Sequence, residues 1–94
     1  MIQLSYNCIY QSDKSEIKKV SEHIALSTKE KLLLDLLVEK KNELVTFESI
    51  EKEVWPDKKV SATTRRTLIH RLREKVGAQS IKTVKDFGCI LETL

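Results

Sequence analysis

The sequence predicts an α+β domain: N-terminal antiparallel strands, three helices and a C-terminal β-hairpin. Three observations predict it. The chain opens with apolar and polar residues alternating in MIQLSYNCIY, then turns to leucines at helical spacing in STKEKLLLDLLVEKK. It closes on two short β-prone runs, IKTV and CIL, joined by the turn KDFG.

Size and composition set the bounds. Ninety-four residues suit one small domain spanning 1–94, and 40% hydrophobic with 5% aromatic content means a core built mainly from Leu, Ile and Val. No apolar run approaches the roughly 20 residues that cross a bilayer. The N-terminus lacks the basic start and cleavage site of a signal peptide, so a cytoplasmic protein with no membrane partner is expected. Cys8 and Cys89 lie near opposite ends of the chain, without CxxC or Cys/His ligand spacing. They read as reduced, partly buried thiols rather than a disulfide or metal site.

The first element reads as one half-buried strand, with Ile2, Leu4, Tyr6, Cys8 and Tyr10 on one side. QSDKSE supplies turn residues, and IKKV and HIAL follow as further strands of a sheet over about residues 1–26. At Ser27 the period changes. Ser27 and Glu30 have capping-box spacing, and Leu33, Leu36, Leu37 and Lys40 form one stripe of a helix over 28–40. After the extended stretch NELVT, Thr46 caps FESIEKEVW, where Phe47, Ile50 and Val54 share a face of a helix over 47–55. Pro56 ends it, because proline has no N–H to donate and restricts the residue before it.

The third helix, predicted over 62–76, starts at the N-cap Ser61 and stops at Gly77. On a helical wheel Leu68, Ile69, Leu72 and Val76 occupy one arc. Thr63, Thr67, His70 and Glu74 occupy the other, edged by Thr64 and Arg71 on one side and by Arg66 and Arg73 on the opposite side. Arginine bonds guanine edges with a planar fork, threonine offers a hydroxyl and a methyl, and histidine a donor or acceptor. The polar arc can therefore both hold and read a nucleic acid. The hairpin completes the chain over about 80–92.

Charge is segregated along this order. Residues 58–85 carry nine Lys/Arg against Glu74 alone, whereas residues 1–57 carry eight Lys/Arg against eleven Asp/Glu. A basic block of that density creates a local positive potential that attracts polyanions. A merely solvated charged face is the competing reading. Two helices joined by a short turn, the second intensely basic and followed at once by a hairpin, is the order of a winged helix-turn-helix.

From Leu26 to Leu91 the chain resembles the OmpR/PhoB-type winged-helix DNA-binding domain, the output domain of many bacterial response regulators. LSTKEKLLLDLL, LVTFESIEKEVW, TTRRTLIHRLREKVG and IKTVKDFGCIL carry the resemblance, in that order and at those separations. It implies a four-stranded N-terminal sheet, three helices and a C-terminal wing. It also implies double-stranded DNA as partner, bound by two copies head-to-tail on a direct repeat, with no cofactor. Thr63, Thr67, His70 and Arg71 match positions that face DNA, Arg71 being the base contact. Thr64, Arg73 and Trp55 match phosphate-contacting positions; in the wing, Thr83 matches a backbone contact and Lys85 a minor-groove contact. Arg66 adds charge beside them. The loop from Pro56 to Val60 matches a segment that can touch RNA polymerase.

The chain also departs from the family pattern. Arg65 stands in the apolar arc where the family usually has an aliphatic residue, and either reaches toward phosphate or marks a later helix start. Asp86 replaces a common glycine and repels phosphate locally, and Cys89 replaces a common tyrosine and supplies no aromatic hydroxyl. Nothing in the chain resembles a receiver domain with its phosphorylatable aspartate. Trp55 also reads as a helix-end packing residue, and His23 as structural or exposed. No GxSxG, HExxH, P-loop or dinucleotide fingerprint is present, and with two glycines in all the chain does not read as an enzyme. A winged helix that docks proteins, or binds nucleic acid without sequence preference, is the alternative.

Overall fold

In a computed structural model, which describes residues 2–5, 8–19, 22–77 and 79–93, the strands, three helices and hairpin are all present. The alternating N-terminus does not run as a single strand. It folds back on itself as β1 (Ile2–Ser5) and β2 (Cys8–Gln11), with Ile2 opposite Tyr10 and Ser5 opposite Cys8. Alternation reports which face a residue takes, not whether the strand has turned, because a tight hairpin can preserve the face. Leu4, Cys8 and Tyr10 are accordingly all buried. The expectation for Tyr6 lies outside the described residues.

A 3₁₀ turn at Ser12–Lys14 leads to β3 (Glu16–Lys19) and β4 (Glu22–Ala25), completing an antiparallel sheet in the order β1-β2-β3-β4. Helix α1 (Thr28–Glu39) then begins with the full capping box. Ser27 Oγ accepts from the Glu30 N–H at 3.2 Å, and the Ser27 N–H donates to Glu30 Oε1 at 2.8 Å. Its buried stripe is wider than the spacing implied: Leu34 is fully buried beside Leu33 and Leu37, whereas Lys40 is the exposed C-cap. The Tyr10 hydroxyl donates to Asp35, whose other oxygen accepts from Lys31 Nζ at 2.7 Å, so the sheet is docked on α1 through a polar contact as well as through apolar packing.

The extended stretch after α1 has a partner that its sequence did not reveal. It forms β5 (Leu44–Thr46), which pairs with β7 (Gly88–Leu91); β7 in turn pairs with β6 (Ile81–Val84), giving a second sheet in the order β5-β7-β6. The hairpin is thus anchored to the segment that leads into α2 (Phe47–Val54). Gly88 makes that approach possible: a Cβ there would lie 1.9 Å from the Val45 carbonyl oxygen. Helix α3 (Ala62–Val76) lays Leu68, Ile69, Leu72 and Val76 onto a core shared with Leu33, Leu37, Ile50, Val54, Ile81 and Leu91. Burial of that arc turns the opposite arc outward.

Candidate nucleic-acid interface

The start of α3 is set by the Ser61 side chain and its end by the Gly77 backbone. Ser61 Oγ accepts from the Thr64 N–H at 3.1 Å and lies 3.0 Å from Thr64 Oγ1, and Gly77, at φ 104°, closes the helix by donating its N–H to the Arg73 carbonyl. With the apolar arc buried, Thr63, Thr64, Arg66, Thr67, His70 and Arg71 are all exposed. The Thr67 hydroxyl donates to the Thr63 carbonyl at 2.9 Å, which leaves its methyl and its lone pairs to face outward.

Between α3 and the β6–β7 turn runs a groove of about 740 Å³, with Phe47 and Ile69 contributing apolar surface. Arg65, Arg66, His70 and Arg73 line it from the helix; Thr83, Lys85 and Asp86 line it from the hairpin. Among the described residues, Arg66, Arg71, Lys58, Lys59 and Lys85 are exposed and enter no ion pair, so their charge is available to a partner. His70 Nε2 lies 2.6 Å from Glu74 Oε1 one turn along the helix, both side chains exposed.

Some residues expected at the interface sit elsewhere or are otherwise engaged. Trp55 is 5% exposed and packs at the end of α2 with Lys29 Nζ 5.5 Å from its ring centroid, so its indole is mainly part of the core. Arg73 is half-buried, and its Nε donates to the Ile81 carbonyl at 3.1 Å, tying α3 to β6. Arg65 neither reaches outward nor marks a later start, since α3 begins at Ala62. Its Nη1 donates to Glu51 Oε2 at 2.6 Å, and its guanidinium lies 4.0 Å from the Phe47 ring centroid. A sequence signal for this existed: Phe47 and Glu51 are four residues apart on α2, so a cation that meets one meets both.

The two wing departures also acquire a cause. Asp86 adopts φ 67°, the left-handed conformation that favours glycine and that aspartate tolerates better than bulkier residues, and the Phe87 N–H donates to the Val84 carbonyl across the turn. Cys89 faces inward and is fully buried. Burial pushes its thiol up, against a smaller opposing influence from the Thr83 hydrogen bond and the Arg73 and Arg65 charges. Cys8 is buried as well, and both cysteines are free. Among the described residues no cluster could hold a metal ion, and no helix is long and apolar enough to cross a membrane.

One further cation of the basic segment, Lys75, is structural. Lys75 Nζ donates to Glu30 Oε1 at 2.6 Å and to the Ala25 carbonyl at 3.0 Å, joining the last turn of α3 to the start of α1 and the end of β4.

Residues 21–91 match the family described as "Transcriptional regulatory protein, C terminal". The response regulator protein GraR of Staphylococcus aureus (strain bovine RF122 / ET3-1) is 33% identical over 76 residues, which is 80% of this chain and 34% of that protein. GraR of Staphylococcus saprophyticus is 34% identical over 71 residues, 74% of this chain and 32% of that protein. The chain thus spans about a third of the length of these relatives. The DNA-binding domain of Bacillus subtilis CssR superposes with a TM-score of 0.79 at 27% identity, over 89% of this chain and 98% of that domain. The DNA-binding domain of E. coli CadC shares the fold at 17% identity, with a TM-score of 0.81 over 94% of this chain and 88% of that one. The winged architecture, the outward polar arc of α3 and the match over most of the chain agree: the protein belongs to the family of C-terminal domains of transcriptional regulatory proteins, of OmpR/PhoB type.

Proposed function

We propose that this domain binds double-stranded DNA in a sequence-specific manner, as the output domain of a bacterial response regulator. The carrying observation is that unpaired cations of two separate elements, Arg66 of α3 and Lys85 of the hairpin, line one groove whose neighbouring helix face is polar and exposed. Helix α3 enters the major groove, about 12 Å wide, and the hairpin lies toward the adjacent minor groove. Arg71 and His70 read base edges; Thr63, Thr64, Thr67 and Thr83 contact the backbone or a thymine methyl. Arg73 and Trp55 act chiefly by holding the surface in shape.

Support comes from relatives as well. The GraR proteins are response regulators by name, and a Klebsiella pneumoniae RstA domain of the same fold, 20% identical, was solved in complex with its RstA box. Two copies arranged head-to-tail on a direct repeat, and contact of the loop from Pro56 to Val60 with RNA polymerase, belong to the same proposal.

Selection of bound duplexes from a random DNA pool at physiological salt tests it. Enrichment of a defined sequence, most tellingly a direct repeat, is the expected result; a folded protein that enriches nothing overturns sequence specificity. On the enriched duplex, neutralisation of about four phosphates by Lys58, Lys59, Arg66 and Lys85 gives a slope of log K against log salt of about −3.6. A slope near zero leaves protein docking as the function of this face.

A further inference from the structure

Within the basic α3, Arg65 stands apart. The side chain of Arg65 is 19% exposed, that of its partner Glu51 30% exposed, and the guanidinium meets both that carboxylate and the Phe47 ring. Phe47 is the first residue of α2, and its N–H donates to the Phe87 carbonyl in the β6–β7 turn at 2.9 Å. One arginine therefore joins the first turns of α3 and α2 at the residue whose backbone also holds the hairpin. Farther along α3, Arg73 makes a second tie to the hairpin through the Ile81 carbonyl.

We infer that Arg65 is a positioning residue: clamped by Glu51 and Phe47, it sets how α2 presents α3 and the hairpin to DNA, and it neutralises no phosphate itself. The inference rests on the DNA-binding reading above. Swinging Arg65 outward would leave the Glu51 carboxylate unpaired beside an incoming polyanion, so the gain of one phosphate contact is opposed by a new repulsion. Arginine also suits the clamp where lysine does not, because a planar guanidinium stacks on an aromatic face while its edge donates to a carboxylate. DNA affinity thereby depends on a cation that lines the groove but spends its charge on Glu51.

The test measures affinity for the selected duplex as a function of salt, for the wild type, Arg65→Gln, Arg65→Lys, Glu51→Gln and Arg66→Gln, each checked for folding by circular dichroism. Arg65→Lys is expected to weaken binding about five- to tenfold with the salt slope unchanged, and Arg65→Gln to weaken it at least as much with a slope change smaller than that of Arg66→Gln. Arg66→Gln should instead make the slope shallower by about 0.9. Glu51→Gln is expected to weaken binding too, although it removes a negative charge and simple electrostatics would make it tighter. Retained affinity in Arg65→Lys, a slope change in Arg65→Gln matching that of Arg66→Gln, or tighter binding by Glu51→Gln overturns the inference. Should Arg65→Gln fail to fold, Arg65→Lys and Glu51→Gln decide it. A wild-type slope near zero is a separate result: it overturns the DNA-binding reading, and the positioning role with it.

Discussion

Lys75 Nζ lies 2.6 Å from Glu30 Oε1, and the pair joins the last turn of α3 to the first turn of α1. Glu30 is almost fully buried and serves two elements, closing the capping box with Ser27 and accepting from Lys75. Removing the ammonium strands a buried carboxylate. Lys75→Met is expected to destabilise the fold by about 2 to 3 kcal/mol, the low end for a buried pair because solvent still reaches the lysine. Urea unfolding checks the value, and in a cycle with Glu30→Gln the double variant should lose less than the sum of the two single losses.

The same pair predicts a pH dependence. Burial alone would push the Glu30 carboxyl up, but hydrogen bonds from Lys75 and Ser27 outweigh it and hold the group below its ordinary value of 4.5. A folded-state value below the unfolded one contributes stability that is present above pH 4.5 and is lost as pH falls through the folded value. Unfolding measured between neutral and acid pH should therefore be less pH-dependent in Glu30→Gln than in the wild type below that point. Equal slopes in the two proteins would contradict the assignment.

Gly88 lies where β5 and β7 approach, with no room for a side chain against Val45 and Thr46. Gly88→Ala should force the strands apart and cost about 3 kcal/mol, measurable by thermal unfolding. Because β5 leads directly into α2, amide hydrogen exchange should accelerate in β5 before the N-terminal sheet is affected. Uniform acceleration across both sheets would be the contrary result.

Asp86 combines a left-handed backbone with a negative charge in the cationic groove. Asp86→Gly relieves both. Its duplex affinity should rise roughly fivefold at low ionic strength, about 1 kcal/mol of removed repulsion, and the gain should shrink as salt is added. Titration at two salt concentrations reads this; a gain independent of salt would assign the effect to the backbone alone.

Arg71 is exposed on α3 and pairs with no carboxylate among the described residues. Arg71→Ala should cost about 1 to 3 kcal/mol on the selected sequence and much less on unrelated duplexes. Arg73→Ala should weaken all sequences alike, since it loosens the tie to Ile81 and so the shape of the whole surface. Identical sequence profiles for the two variants would remove the distinction between them.

Local signals determined a good part of this protein. The capping serines and threonine at 27, 46 and 61, the stop at Pro56 and the apolar arc of α3 are decided within a turn or two of chain, and each is legible from spacing. The outward set Thr63, Arg66, Thr67, His70 and Arg71 followed from that arc, because burying one side of a helix exposes the other. What needed the tertiary structure are relationships between residues far apart in sequence. The fold-back of the first strand, the pairing of β5 with β7, and the inward roles of Arg65, Arg73 and Lys75 all depend on partners supplied by other elements. A charge looks the same in sequence whether it meets water or a carboxylate fourteen positions away, as Arg65 meets Glu51; only packing brings the carboxylate into reach and decides which cations stay exposed.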